Sequence, residues 1–238
     1  MKNLKRFGTG YGGFFYPENL DGLNHDSIIY CVGAGEDISH DIELAHKLNS
    51  DVFIFDPTPR AIEHINYIKK LLEGQEEFKS NPAFGGGAAE YLDLIIKSRI
   101  DSNKIYFYDY GLHTENTIAK FYKPSNEEYV SHSVIKGMKS DNYINVKMKT
   151  LKTIMEELKH DNVDLLKIDI EGVECDVLEQ MINDNIYPKY LSVDFDLGWT
   201  GEKIQNRERC FETINSLKTV GYEILHQGGA DFSFVLSK

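Results

Sequence analysis

The sequence has little cysteine and no cysteine pattern. Cys31, Cys175 and Cys210 are its three cysteines, far apart and without a CxxC pair. That excludes a zinc ribbon and a disulfide framework, and it fits a reducing compartment. A long apolar run is missing too. No stretch reaches the ~20 residues that a membrane-crossing helix needs. The start has Lys2, Lys5 and Arg6 but then glycines and aromatics, without the apolar core of a signal peptide. The expectation is a cytoplasmic protein with no membrane partner. Positive charge is scarce, with 26 Lys and Arg against 38 Asp and Glu and a formal net charge of -12. A nucleic-acid binder needs a basic footprint, so nucleic acid is not an expected partner. No GxxxxGK[ST] occurs, which excludes a P-loop nucleotidase.

What is present is an alternation of short strand-like runs and helical stretches within 238 residues, enough for one large domain. The expected strands are 27–32, 52–55, 105–108, 163–168 and 190–195, and the expected helices are 38–48, 61–72, 88–98, 151–158, 173–181 and 203–220. Asp37 or Ser39 is the expected cap of the first helix. Gly85-Gly86-Gly87 reads as a flexible joint. Two β-like pieces, Ile118 to Tyr122 and Ile144 to Met148, mark a small insertion over 111–149, and residues 1–26 read as an N-terminal cap segment. The end differs: Tyr222 to His226 and Phe232 to Leu236 read as two strands around a glycine turn at 227–231. Alternating units of this kind predict an α/β domain over 1–238, with a mostly parallel sheet made mixed by the terminal hairpin.

In such sheets ligands bind beyond the carboxyl ends of the strands. Gly33-Ala34-Gly35 follows the first main strand, and Asp56 ends the second, about twenty residues on. That is the spacing at which an acid accepts hydrogen bonds from the ribose hydroxyls of a nucleoside cofactor. Pro57 and Thr58 belong to the same expected cofactor set. A dinucleotide site prefers a third glycine where this chain has Ile38, and a pyrophosphate disfavours Glu36 and Asp37 beside the glycines. S-adenosylmethionine, with an ammonium, a sulfonium and one carboxylate, suits those acids.

A second group of acids follows the later strands. Asp169 and Glu171 come after Leu165-Leu166-Lys167-Ile168, and Asp194-Phe195-Asp196 ends the strand after that. Asp169, Asp194 and Asp196 can converge on a hydroxyl proton or on an oxygen-loving divalent ion, Mg or Mn. His113 and His132 are candidate general bases, since histidine titrates near neutrality. Tyr11, Phe14, Phe15 and Trp199 are candidate pocket walls.

With these residues in view, the chain resembles the FkbM family of methyltransferases. The resemblance rests on Gly33-Ala34-Gly35-Glu36-Asp37-Ile38-Ser39 with Asp41, and on Phe55-Asp56-Pro57-Thr58-Pro59. Gly111-Leu112, Phe121-Tyr122-Lys123-Pro124 and Val130-Ser131-His132-Ser133 add to it. Asp164 to Gly172 with Glu174 is its most specific piece, and the similarity runs from about Phe7 to Phe195. It implies a three-layer, Rossmann-like class I fold, a seven-stranded mixed sheet whose last strand is antiparallel. It also implies methyl transfer from S-adenosylmethionine to an oxygen of a sugar, glycan or small natural product. Gly33 and Gly35 would approach the cofactor, Asp56 hold its ribose, Tyr110-Gly111-Leu112 border the adenine, and Asp169 lie near the transferred methyl. One departure stands out: Asp194-Phe195-Asp196 replaces the Glu-Phe-His usual in this branch, which shifts proton removal toward carboxylates or a metal. Two other classes share parts of the pattern. A dinucleotide-dependent oxidoreductase would use the glycines and Asp56, and a non-catalytic binding module would retain the fold alone.

Overall fold

The computed structural model describes residues 3–77, 88–125, 132–136, 140–195 and 204–237. The chain opens on an antiparallel hairpin, β1 (Leu4–Phe7) and β2 (Phe14–Pro17), joined by the glycine-rich turn 8–13. Then come β3 (Ile29–Val32), α1 (Ser39–Leu48), β4 (Val52–Phe55), α2 (Pro59–Leu72), α3 (Ala88–Ser98) and β5 (Ile105–Tyr108). Three further strands follow: β6 (Gly111–Leu112), β7 (Thr117–Tyr122) and β8 (Tyr143–Lys149). The second half runs α4 (Leu151–Leu158), β9 (Leu165–Ile168), α5 (Glu174–Asn183), β10 (Tyr190–Asp194), α6 (Ile204–Thr219), β11 (Tyr222–Gly228) and β12 (Asp231–Leu236).

Seven strands form the main sheet in the order β11-β12-β10-β9-β3-β4-β5. β10, β9, β3, β4 and β5 are parallel, whereas β12 runs antiparallel to both β10 and β11. β3, β4 and β9 are buried along their whole length, which is why they read as unbroken apolar runs rather than as alternating ones. Successive residues still serve opposite faces. Tyr30, Val32, Phe53 and Phe55 pack with α4, α5 and α6 through Ile154, Leu178 and Ile214. Ile29, Cys31, Val52 and Ile54 pack with α1, α2 and α3 through Ile42, Ile65 and Ile95. The result is the expected three-layer, Rossmann-like α/β arrangement with a seven-stranded mixed sheet.

Local chemistry sets the helix starts. Thr58 caps α2, its side chain accepting from Ala61 N, and Pro59 occupies the first helical position, where its missing N–H costs nothing. α2 therefore begins two residues before the expected start at Ala61. The expected cap of α1 is corrected: Ile38 occupies that position and makes no side-chain cap bond. Asp37 instead accepts from Ser39 N at 2.9 Å, from one residue further out. At the other end, β11 and β12 extend to Gly228 and Asp231, so Asp231 belongs to a strand and not to the turn.

A small second sheet, β6-β8-β7, holds both β-like pieces of the stretch 111–149 and adds Gly111-Leu112 as a third strand parallel to β8. The hairpin of β1 and β2 departs from the expectation of a cap segment: its strands are four residues each, and Leu4-Lys5-Arg6-Phe7 shows no apolar alternation. Gly85-Gly86-Gly87, Val130, Ser131, Asp196 and Trp199 lie outside the described residues. Among the described residues no helix is long and apolar enough to cross a membrane.

Candidate active site

The order of the main sheet reverses between β3 and β9, since the chain builds outward through β4 and β5 before returning to the other side of β3. A cleft of about 1000 Å³, open to solvent, lies beyond the carboxyl ends of these strands. Gly33, Asp56 and Asp169 all line it.

On the β3 side the backbone turns through Gly33 at φ +81° and Gly35 at φ +52°. The need for glycine at 33 is severe. A Cβ there would lie 1.7 Å from the carbonyl oxygen of Asp169. The space left by the missing side chain is thus filled by the loop after β9, not held open for a ligand.

Asp56 organises this half of the cleft. One of its oxygens accepts from Ala34 N and Gly35 N, both at 2.9 Å. The other accepts from Thr58 N at 2.8 Å and Thr58 Oγ1 at 2.6 Å. The group is 5% exposed, and the usual four acceptor positions of a carboxylate are filled within the chain. Glu36 is held in a fork by Arg60, at 3.1 Å from Nε and 2.6 Å from Nη2. Asp37 accepts from Thr9 Oγ1 at 2.5 Å, which fastens the turn between β1 and β2 to the glycine loop. Ser39 Oγ accepts from Thr9 N and Glu43 from Gly8 N, so the same turn is clamped onto α1. Tyr11, at the tip of this turn, is 81% exposed and lines the cleft.

The adenine-side expectation divides. Gly111 and Leu112 line the cleft with Pro57 and Phe121. Tyr110 is not among the lining residues: it is 6% exposed, its ring 5.6 Å from both Phe55 and Tyr108, with Lys149 Nζ 4.0 Å from its centroid. It packs in the core behind the cleft wall. His113 is not a lining residue either. The turn that follows uses its Nδ1, which accepts from Glu115 N at 3.3 Å. The histidine that does line the cleft is His132, 8% exposed and 5.7 Å from Phe121 between ring centroids.

On the β9 side, Lys167 joins the two halves. Its ammonium donates to the carbonyl of Gly33 and lies 3.4 Å from Asp169 Oδ2. Burial pushes this ammonium toward the neutral form, but the carboxylates of Asp169 and Asp41 more than offset that and hold its pKa above the ordinary value. The Asp169 side chain is 37% exposed, facing the cleft. Glu171 lines the cleft with its backbone at φ +62°, where its carbonyl accepts from Ser133 Oγ at 2.6 Å. A non-glycine residue held in this region is strained, and strain of this kind gathers at functional sites.

Two acids beyond the expected set complete this side. Glu174 is 3% exposed and accepts from Gly172 N at 2.8 Å. Burial pushes its pKa up to about 8, with the charges of Asp169 and Asp194 adding to the rise. Asp231 sits opposite Asp194 across the β10–β12 pairing, and burial, then Asp169, push it up to about 6. It lines a second, smaller cleft with Arg6, Phe14, Phe15 and His226, in which the Phe15 and His226 rings stack at 4.0 Å. Tyr11 therefore serves the main cleft, while Phe14 and Phe15 serve the second.

As for a metal, Asp196 lies outside the described residues. Among the described residues, the three donors that lie within 4.8 Å of one another are Cys31, His40 and Asp41, all buried. Asp169 and Asp194 belong to no such group among the described residues.

A model of the FkbM methyltransferase domain matches residues 25–223. No curated protein matches the chain. Among solved structures the chain is similar to an FkbM methyltransferase from Methylobacillus flagellatus KT, with TM-score 0.51 and 10% identity over 92% of this chain and 46% of that one. This chain thus spans about half of that protein, and at such low identity the likeness concerns the fold. Weaker similarities, at TM-scores of 0.41 and 0.37, reach the fibrillarin pre-rRNA processing protein of Methanococcus jannaschii and the N-terminal domain of human METTL16 in complex with SAH. Their identities are 12% and 10%, over 98% and 90% of this chain and 83% and 62% of theirs.

Proposed function

The chain belongs to the FkbM methyltransferase family, and on that premise we propose that it transfers the methyl group of S-adenosylmethionine to a hydroxyl oxygen of a sugar, glycan or small natural product. The observation that carries this reading is the meeting of the glycine loop and Asp169 at the switch point, in one cleft and under one ammonium. The lining is chemically suited to that cofactor. Leu112, Pro57 and Phe121 offer an apolar wall to a purine, and Asp37, Asp169 and Glu171 offer negative charge to its two cationic groups.

When bound, S-adenosylmethionine supplies the methyl group and a sulfonium leaving group. The chain has to orient the acceptor oxygen and take its proton. Asp56 lies where the ribose is expected, but with its acceptor positions shared among Ala34, Gly35 and Thr58 it acts first by shaping the loop. Asp169, oriented by Lys167, is the candidate base, with Asp194 beside it and His132 across the cleft. Glu174 keeps its proton at neutral pH, which limits the negative charge that Asp169 must face. Carboxylates that accept from hydroxyls favour a polyhydroxylated acceptor over an apolar one. Among the described residues Asp169 and Asp194 fall in no cluster of three close donors, so a cation has a thin donor set here and no step is assigned to it.

Titration calorimetry with S-adenosylhomocysteine and with NAD tests the cofactor. Binding of the first alone is expected; binding of NAD alone would overturn the reading in favour of an oxidoreductase. Release of S-adenosylhomocysteine on adding hydroxylated acceptors then tests the transfer. Chelation by EDTA is expected to leave that rate unchanged.

A further inference from the structure

Cys175 and Cys210 are 35 positions apart in sequence, yet their sulfurs lie 3.6 Å apart where α5 packs against α6. Both are free thiols. The helices are held together at this level by polar contacts on either side of the sulfurs. Arg209 pairs with Asp176 and, at 3.3 Å, with Glu179, and Thr213 Oγ1 lies 3.3 Å from Glu179 Oε1. The two cysteines differ in access: Cys175 is partly exposed, whereas Cys210 is 3% exposed.

We propose that Cys175 and Cys210 form a reversible oxidation site, which a hydroperoxide converts into an intramolecular disulfide between α5 and α6. Cys175 acts first, because a peroxide can reach it and because its surroundings favour the thiolate. It stands in the first turn of α5, at the positive end of the helix. The hydrogen bond between it and Cys210, then that with Thr213 and the charge of Arg209, hold its pKa below the ordinary value against the effect of burial. Its thiolate attacks one peroxide oxygen and the O–O bond breaks, leaving a sulfenic acid and one water. The Cys210 thiol then attacks the sulfenic sulfur, the S–S bond forms and a second water leaves. Two thiols and one hydrogen peroxide thus become one disulfide and two waters, and a dithiol reductant reverses the change. The sulfurs need to close by about 1.5 Å to reach bonding distance, within the range of side-chain rotation. Because Cys175 directly follows Glu174, the bond tethers the acceptor side of the cleft to α6.

The test treats the intact native chain with a small excess of hydrogen peroxide, then measures intact mass and free thiols in denaturant. A mass loss of about 2 Da is expected, for the two hydrogens removed. Titratable thiols should fall from three to one, with a single non-reduced peptide joining Cys175 to Cys210 and full recovery under dithiothreitol. Before oxidation, only Cys175 should react promptly with an aromatic disulfide reagent, because Cys31 is 1% exposed. In Cys210→Ser the reaction should stop at a sulfenic acid on Cys175 that dimedone traps. Three surviving thiols, over-oxidation of Cys175 with Cys210 free, or a disulfide between two chains would each overturn the proposal.

Discussion

The two halves of the cleft are built on opposite plans. On the β3–β4 side Asp56, Glu36 and Asp37 each have named partners within the chain: backbone amides and Thr58, the Arg60 fork, and Thr9 with Ser39. On the β9–β12 side Asp169 faces the Lys167 ammonium, and Glu174 and Asp231 are pushed up toward neutrality by burial and by the charge of Asp169. Satisfied acids make a rigid mould, suited to a ligand that is the same in every turnover. Crowded acids with raised pKa values make a place where protons can be exchanged, which suits the proton loss that the proposed transfer requires.

Substitution of Gly33 by Ala should show the contrast most strongly. The new Cβ meets the Asp169 carbonyl at a φ that alanine disfavours, and a loss of about 4 kcal/mol, roughly 10 °C in Tm, is expected. Asp56→Ala comes next. It strands the amides of Ala34, Gly35 and Thr58, and a loss of about 3 kcal/mol in total is expected. Affinity for S-adenosylhomocysteine should fall by about two orders of magnitude in calorimetry. Undiminished binding would remove the mould from the comparison.

The acid side is probed by pH. Glu174 is raised from 4.5 to about 8, so the folded chain binds a proton there that the unfolded chain has released. Its contribution to stability is complete below pH 4.5 and declines as pH rises to about 8. Glu174→Gln keeps the oxygen that accepts from Gly172 N and should flatten that decline. At pH 8 a gain of about 1–2 kcal/mol over the wild type is expected in thermal melts. A melting curve with the wild-type pH dependence would mean that Glu174 is not the group that carries the decline. The smallest effect belongs to His113→Ala, which touches neither half. Rates within about twofold and stability within about 0.5 kcal/mol are expected.

What could be read in advance follows from how local each feature is. β3, β4 and β9 announce themselves because burial on both faces leaves unbroken apolar runs, and the residues that end them, Gly33, Asp56 and Asp169, fall in the cleft for the same reason. β6 is two residues long and carries no period of its own; only pairing with β8 makes it a strand. Asp231 was hidden by the glycines before it, and its part in the site comes from facing Asp194 across strands far apart in sequence. His113 and His132 are equal candidates by residue type. Which of them lines the cleft depends on the fold of the small sheet, and no spacing in the sequence encodes that. Tyr110 stands next to two lining residues but turns into the core, where Phe55 and Tyr108 receive it.

Lys167 has a consequence for how the two ligands sense each other. One ammonium serves the Gly33 carbonyl and the Asp169 carboxylate at once, so a shift of either acceptor changes its hold on the other. A ligand that moved one acceptor would change affinity on the other side, and by reciprocity the factor would be the same in both directions. In the proposed transfer, cofactor and acceptor would report on each other before any bond is made.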